Sequence, residues 1–174
     1  MRRGFTAGVL LAASAIAACA APATLYPQPA ELPPTTHART EAPPRSSTVG
    51  EPITDGSLRF TVHGLRRYSG AVKAARPAGE YLIVSLTVQN VGDAPVQYFT
   101  ESQQLVIDGK QHPADILAAV YLSPQSADYI QPGLAIDIET PFDVPIGSLP
   151  EAVLLNEISE PSTAVVDLRG VRIA

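Results

Sequence analysis

The sequence predicts an all-β fold, an antiparallel β-sandwich of about 7–9 short strands, and three observations carry that prediction. In Glu80–Asp93, Leu82, Val84, Leu86 and Val88 share one side of the pleat while Ser85, Thr87 and Gln89 share the other, the pattern of a half-buried strand. Turn-forming residues recur between such stretches, at Asp55-Gly56, at Asn90 with Gly92-Asp93, at Asp108-Gly109 and at Pro132-Gly133. No segment reads as a long helix, and 17 Pro without a single Trp among 174 residues favour strands, turns and a linker.

The chain opens with the parts of an export signal, residues 1–18: Arg2 and Arg3, an apolar run from Phe5 to Ile16, then small residues. The run is shorter than the ~20 residues of a membrane span, so it reads as an address rather than a transmembrane helix. The arginine pair suits either the general export route or a twin-arginine one. Cys19 is the only cysteine and follows Ile16-Ala17-Ala18, which is similar to the cleavage motif of bacterial lipoproteins. That resemblance implies cleavage ahead of Cys19, acylation of its thiol and lipid-anchored residence on the outer face of the cell membrane. Two or three acyl chains hold a protein firmly where one does so only marginally. Ordinary secretion, with cleavage after Ala20 or Ala23, is the other reading of the same residues.

Residues 19–48 are a Pro-, Thr- and Ser-rich linker with almost nothing apolar to bury, an extended tether to the domain at 49–174. The formal charge of -5, made more acidic once Arg2 and Arg3 are removed, excludes a nucleic-acid partner, which requires clustered Lys or Arg.

Within the domain, Val49–Ile53 and Leu58–Leu65 read as strands around Asp55-Gly56, with Arg59, Thr61 and His63 outward. Arg66–Gly79 reads as a solvated basic loop carrying Arg66, Arg67, Lys73 and Arg76. After Glu80–Asp93 come Val96–Phe99 and Gln103–Ile107, then a hairpin turn at Asp108-Gly109 that returns through His112 to Pro113. Ala114–Leu122 fits a short helix started by Asp115, or an irregular crossover. Leu134–Val144 is a second clear strand, with Asp137, Glu139 and Asp143 outward; Pro141, lacking an N–H, puts it at an edge or a bulge. Ala152–Glu157 and Thr163–Leu168 complete the set.

Chemistry is poorly supplied. His112 lies near Asp108 and Asp115 along the chain, with Ser102 and Ser123 in range, but no nucleophile elbow surrounds either serine. The outward carboxylates Asp137, Glu139 and Asp143 lack a calcium-wrapping loop. The expectation is a non-enzyme without cofactor or metal.

Val49-Gly50 with Asp55-Gly56, Phe60-Thr61-Val62, Val88 to Asp93, Pro132-Gly133, Phe142-Asp143-Val144-Pro145 and Val166-Asp167-Leu168, in this order, resemble the secreted immunoglobulin-like domains of actinobacterial antigens and Gram-positive lipoproteins, a domain family of unknown function. The resemblance implies an extracytoplasmic, immunoglobulin-like sandwich and supplies no catalytic residue. Two functions are compatible with it. One is a membrane-anchored binding or adhesion module for an envelope or extracellular protein or glycan, expected to gather Tyr68, Tyr98, Tyr121 or Tyr129 on an exposed patch. The other is a carrier or chaperone with an apolar cavity between the sheets.

Overall fold

The computed structural model describes residues 45–127, 129–159 and 162–174. The leader, Cys19 and most of the Pro-rich linker lie outside the described residues. Within them the strands are β1 (Arg45–Thr48), β2 (Pro52–Asp55), β3 (Leu58–Tyr68), β4 (Glu80–Asn90), β5 (Val96–Gln97), β6 (Gln104–Ile107), β7 (Lys110–Pro113), β8 (Tyr129–Ile130), β9 (Ala135–Val144), β10 (Ala152–Leu155) and β11 (Ala164–Asp167), with one α-helix, α1 (Ile116–Leu122). They form a five-stranded sheet, β1-β11-β10-β6-β7, a four-stranded sheet, β2-β3-β4-β9, and a ribbon, β5-β8. The two larger sheets share one core, in which Leu58, Phe60, Leu82, Leu86 and Phe142 pack with Leu105, Val153, Leu155 and Val166.

Alternation dictates this arrangement. β4 is an inner strand of its sheet, paired with β3 from Leu58↔Asn90 to Tyr68↔Tyr81 and with β9 from Glu80↔Val144 to Gln89↔Ala135. Its inward residues Leu82, Val84, Leu86 and Val88 are buried. Asn90 ends the strand and ties four segments together: its side-chain amide donates to Ala94 O (2.7 Å) and Ile130 O (2.8 Å) and accepts from Gly92 N (2.9 Å), while its own N–H reaches Leu134 O (2.9 Å). Asp108 and Gly109 both have positive φ, +49° and +70°, the backbone of a two-residue hairpin turn.

The antiparallel sandwich is as expected, and its differences in detail have tertiary causes. Arg45–Thr48, assigned to the linker, is β1 and runs parallel to β11 in register from Arg45↔Ala164 to Thr48↔Asp167, so the boundary drawn at Thr48 falls inside the sheet. Val49 and Gly50 form a turn, and β2 begins at Pro52. β3 continues through Arg66–Tyr68, residues read as loop. The strand at Glu80–Asn90 is more than half-buried, because Tyr81 and Ile83 on its outer face are covered by Val72, Ala75 and Ala118. The strands exceed the expected number because the short β1 and β8 carry too few residues to show a period.

β9 is the outer strand of its sheet, as Pro141 requires. Its unpaired side is covered by the segment that contains α1. Asp115 N donates to Pro141 O (2.9 Å), Ser123 Oγ accepts from Glu139 N (2.7 Å), and Gln125 Nε2 donates to Asp137 O (2.6 Å). An exposed ladder edge invites pairing with another chain; here the Asp115 backbone amide and the Ser123 and Gln125 side chains occupy it.

Candidate recognition surface

Seven residues cannot sustain an isolated helix in water, so α1 depends on its anchors. Asp115 is the N-cap in extended backbone, and its Oδ1 accepts from Ala118 N at 3.0 Å. Oδ2 accepts from the Tyr81 hydroxyl at 2.7 Å. Ala118 and Ala119 are buried, and Tyr121 and Leu122 pack on the cluster around Tyr81 and Ile83. Ser123 ends the helix and Pro124 follows. At about 100° per residue, this leaves Ile116, Leu117 and Val120 on one outward arc, 52 %, 50 % and 50 % exposed.

Across from Ile116 and Val120 runs the chain that leaves β5. Gln97, Phe99 and Glu101 face the helix over a shallow groove of about 170 Å³, with Tyr98 and Thr100 beneath. Gln97 pairs directly with Tyr129 in the β5-β8 ribbon, so their side chains lie on one face, and Tyr129 is 64 % exposed. The result is an apolar helical face, a groove, a tyrosine and one carboxylate at Glu101. Single exposed apolar residues are ordinary, whereas contiguous ones mark contact surfaces.

Of the four tyrosines expected on an exposed patch, Tyr68, Tyr98, Tyr121 or Tyr129, it is Tyr129 that stands at this surface. Tyr98 is in the core, its ring beside Phe60 and its hydroxyl 2.9 Å from Thr140 Oγ1, so burial pushes the phenol well above its ordinary value. Tyr121 lies under the Lys73 ammonium at 4.9 Å, and Tyr68 under the Arg66 guanidinium at 5.9 Å. Nothing in the sequence marked Ile116, Leu117 and Val120 as outward. The helical period was the available signal, and seven residues are too few to fix its phase.

The other candidates are engaged locally. Arg66 bonds Glu139 through two nitrogens at 3.0–3.1 Å, and Arg67 pairs with Glu80 and the Ser148 carbonyl, which removes two charges from the basic loop. Asp143 accepts from Ala78 N and Gly79 N, and Asp137 accepts from Thr87 Oγ1. Ser102 Oγ donates to Phe99 O, Ser123 serves the β9 edge, and Asp115 caps α1, so the residues considered for hydrolysis do not assemble. Among the described residues no three His, Cys, Asp or Glu side chains converge as metal ligands. The space between the sheets, where the carrier alternative needs a cavity, is filled: Phe60, Leu82, Leu105 and Val153 are 0 % exposed.

Solved structures share this fold. The secreted protein MPT63 of Mycobacterium tuberculosis is 20 % identical over 73 % of this chain and 99 % of its own, with a TM-score of 0.59. The yjhA protein of Bacillus subtilis is 16 % identical over 69 % of this chain and 97 % of its own, with a TM-score of 0.54. No curated protein matches the chain. The first likeness corrects the expected lipid-anchored residence at the cell membrane, because the matched protein is a secreted one. Among the described residues no helix is long and apolar enough to cross a membrane; Ile16, Ala17, Ala18 and Cys19 lie outside those residues. A family description covers residues 47–162, from β1 to the loop before β11, and the chain therefore belongs to the family called Domain of unknown function (DUF4352).

Proposed function

We propose that this chain is a secreted recognition module that holds a protein partner on the outward face of α1. One observation carries the reading: Ile116, Leu117 and Val120 stand half exposed on a helix whose opposite side is fastened to β4 and β9. A rigid apolar face loses little conformational entropy on binding. Gln97, Phe99 and Glu101 add a groove and a polar rim, and Tyr129 an amphipathic ring suited to an interface. The export leader begins at Met1 and ends at Ala20 or Ala23, where Ala18-Cys19-Ala20 and Ala21-Pro22-Ala23 both offer the small-x-small pattern of ordinary cleavage. The Pro-rich residues after the cleavage site serve as a spacer that keeps the domain accessible.

The test is site-specific photocrosslinking of the secreted protein with a photoreactive residue at Leu117, at Val120 or, as a control on the outer face of β3, at Arg59. The same partner protein should be captured from Leu117 and Val120 and not from Arg59, and an excess of unlabelled protein should compete it away. Equal capture from all three positions would sink the reading.

A further inference from the structure

A second groove, of about 370 Å³, shares no lining residue with the first. Three segments wall it: the tip of the β6-β7 hairpin, the loop between β9 and β10, and the chain after β11. Backbone bonds fix all three. Glu151 N donates to Val106 O (2.8 Å), Leu168 N donates to Glu151 O (2.9 Å), and Val171 N returns to Leu168 O (3.2 Å) through Gly170 at φ +77°. The last residues then join β3, where Ala174 N reaches Leu65 O (3.0 Å) and Arg67 N reaches Ala174 O (2.9 Å). The groove is therefore present before any ligand arrives.

Its lining is divided by chemistry. Leu149, Pro150, Leu168, Val171 and Ile173 make the apolar part, and Leu149 stands 72 % exposed at the mouth. Asp108, Glu151 and Arg169 are the charged residues. The Arg169 guanidinium is already bonded to both oxygens of Asp167, at 2.9 and 2.6 Å. Arg172 is exposed and outside the lining. Asp108 and Glu151 form no ion pair among the described residues; Glu151 lies within the field of Arg169, but that charge is matched by Asp167, so the groove keeps an excess of negative charge beside an apolar surface. The volume falls toward the lower end of the ~300–1,000 Å³ of small-molecule sites.

We propose that this groove binds a small cationic amphiphile, with an alkyl body on Leu149, Val171 and Ile173 and an ammonium head beside Asp108 and Glu151. Removing the alkyl chain from water supplies the affinity; the two carboxylates select the sign of the head group. The site is independent of the α1 face, so failure of either proposal leaves the other standing.

The experiment titrates the full secreted protein, labelled with nitrogen-15, with octyltrimethylammonium, octanoate, octyl glucoside and tetramethylammonium, each below its micelle concentration. Octyltrimethylammonium should shift the amides of Leu149, Gly170 and Val171 saturably, about fivefold or more tighter than octanoate. Asp108→Asn with Glu151→Gln should reduce its affinity to that of octyl glucoside, and Leu149→Ser should weaken all three alkyl ligands. Both variants alter exposed or rim positions, and the remaining amide spectrum reports that they are folded. Absence of shifts at the groove, equal binding of octanoate, equal binding of tetramethylammonium, or indifference to the double substitution would each overturn the proposal.

Discussion

Asp115 bonds Tyr81 Oη at 2.7 Å through one carboxylate oxygen and the Ala118 amide at 3.0 Å through the other. One side chain thus starts α1 and fastens it to β4, an inner strand of the four-stranded sheet. The outward direction of Ile116, Leu117 and Val120 follows from that joint.

Asp115→Ala removes the cap and the bond to Tyr81 together and should destabilise the fold by about 2 kcal/mol, against about 1 kcal/mol for Tyr81→Phe. Denaturant unfolding measures both. The two substitutions should be less than additive, since they share one hydrogen bond, and additive losses would show that the joint contributes nothing.

Alkaline pH should unfold the protein through two phenols. Burial, reinforced for Tyr81 by the Asp115 carboxylate, raises Tyr81 and Tyr98 well above their ordinary value of 10.0. The folded state keeps protons that the unfolded chain releases. Stability from these groups is therefore full below about pH 10 and falls as pH rises above it. Thermal melts across that range, with tyrosinate absorbance recorded in parallel, should show the two phenols ionising with unfolding rather than before it.

The Arg169 guanidinium holds the Asp167 carboxyl down at about 2, with the Arg169 amide adding a second donor. A lowered value means that any stabilisation is present above the ordinary 3.8 and disappears as pH falls through about 2. Carboxyl chemical shifts in an acid titration should give the low value in the parent protein and a rise toward 3.8 in Arg169→Gln.

Ser47 sits opposite Val166 in the parallel β1-β11 pair, and among the described residues its buried Oγ has no hydrogen-bond partner. An unmet buried hydroxyl costs about 1 kcal/mol or more, and a β-branched residue suits the position. Ser47→Val should therefore stabilise the domain by about 1 kcal/mol, read as a higher midpoint in urea with an unchanged slope.

How far the sequence could be read depended on whether the deciding interaction was local. Leu82 to Val88 displayed their period, Asp108-Gly109 had the residues its positive φ values need, Pro141 announced an edge or a bulge, and Asp115 was recognisable as a helix start. What was missed depends on partners far along the chain. Arg45–Thr48 has no apolar alternation and becomes a strand by pairing with Ala164–Asp167. Tyr98, amphipathic enough for a surface, is drawn into the core beside Phe60 and Thr140. Tyr81 and Ile83 share the outer face with polar residues and are buried because α1 and Val72–Ala75 cover them. The recognition face was illegible for the same reason: which side of Ile116–Leu122 points outward is settled by β4, more than twenty-five residues earlier.

The most direct test of the α1 surface is Val120→Lys, carried through both unfolding and photocrosslinking from Leu117. The melting temperature should stay close to that of the parent, because Val120 is half exposed, while the captured partner is lost. Full capture by a folded Val120→Lys protein would contradict recognition through this surface.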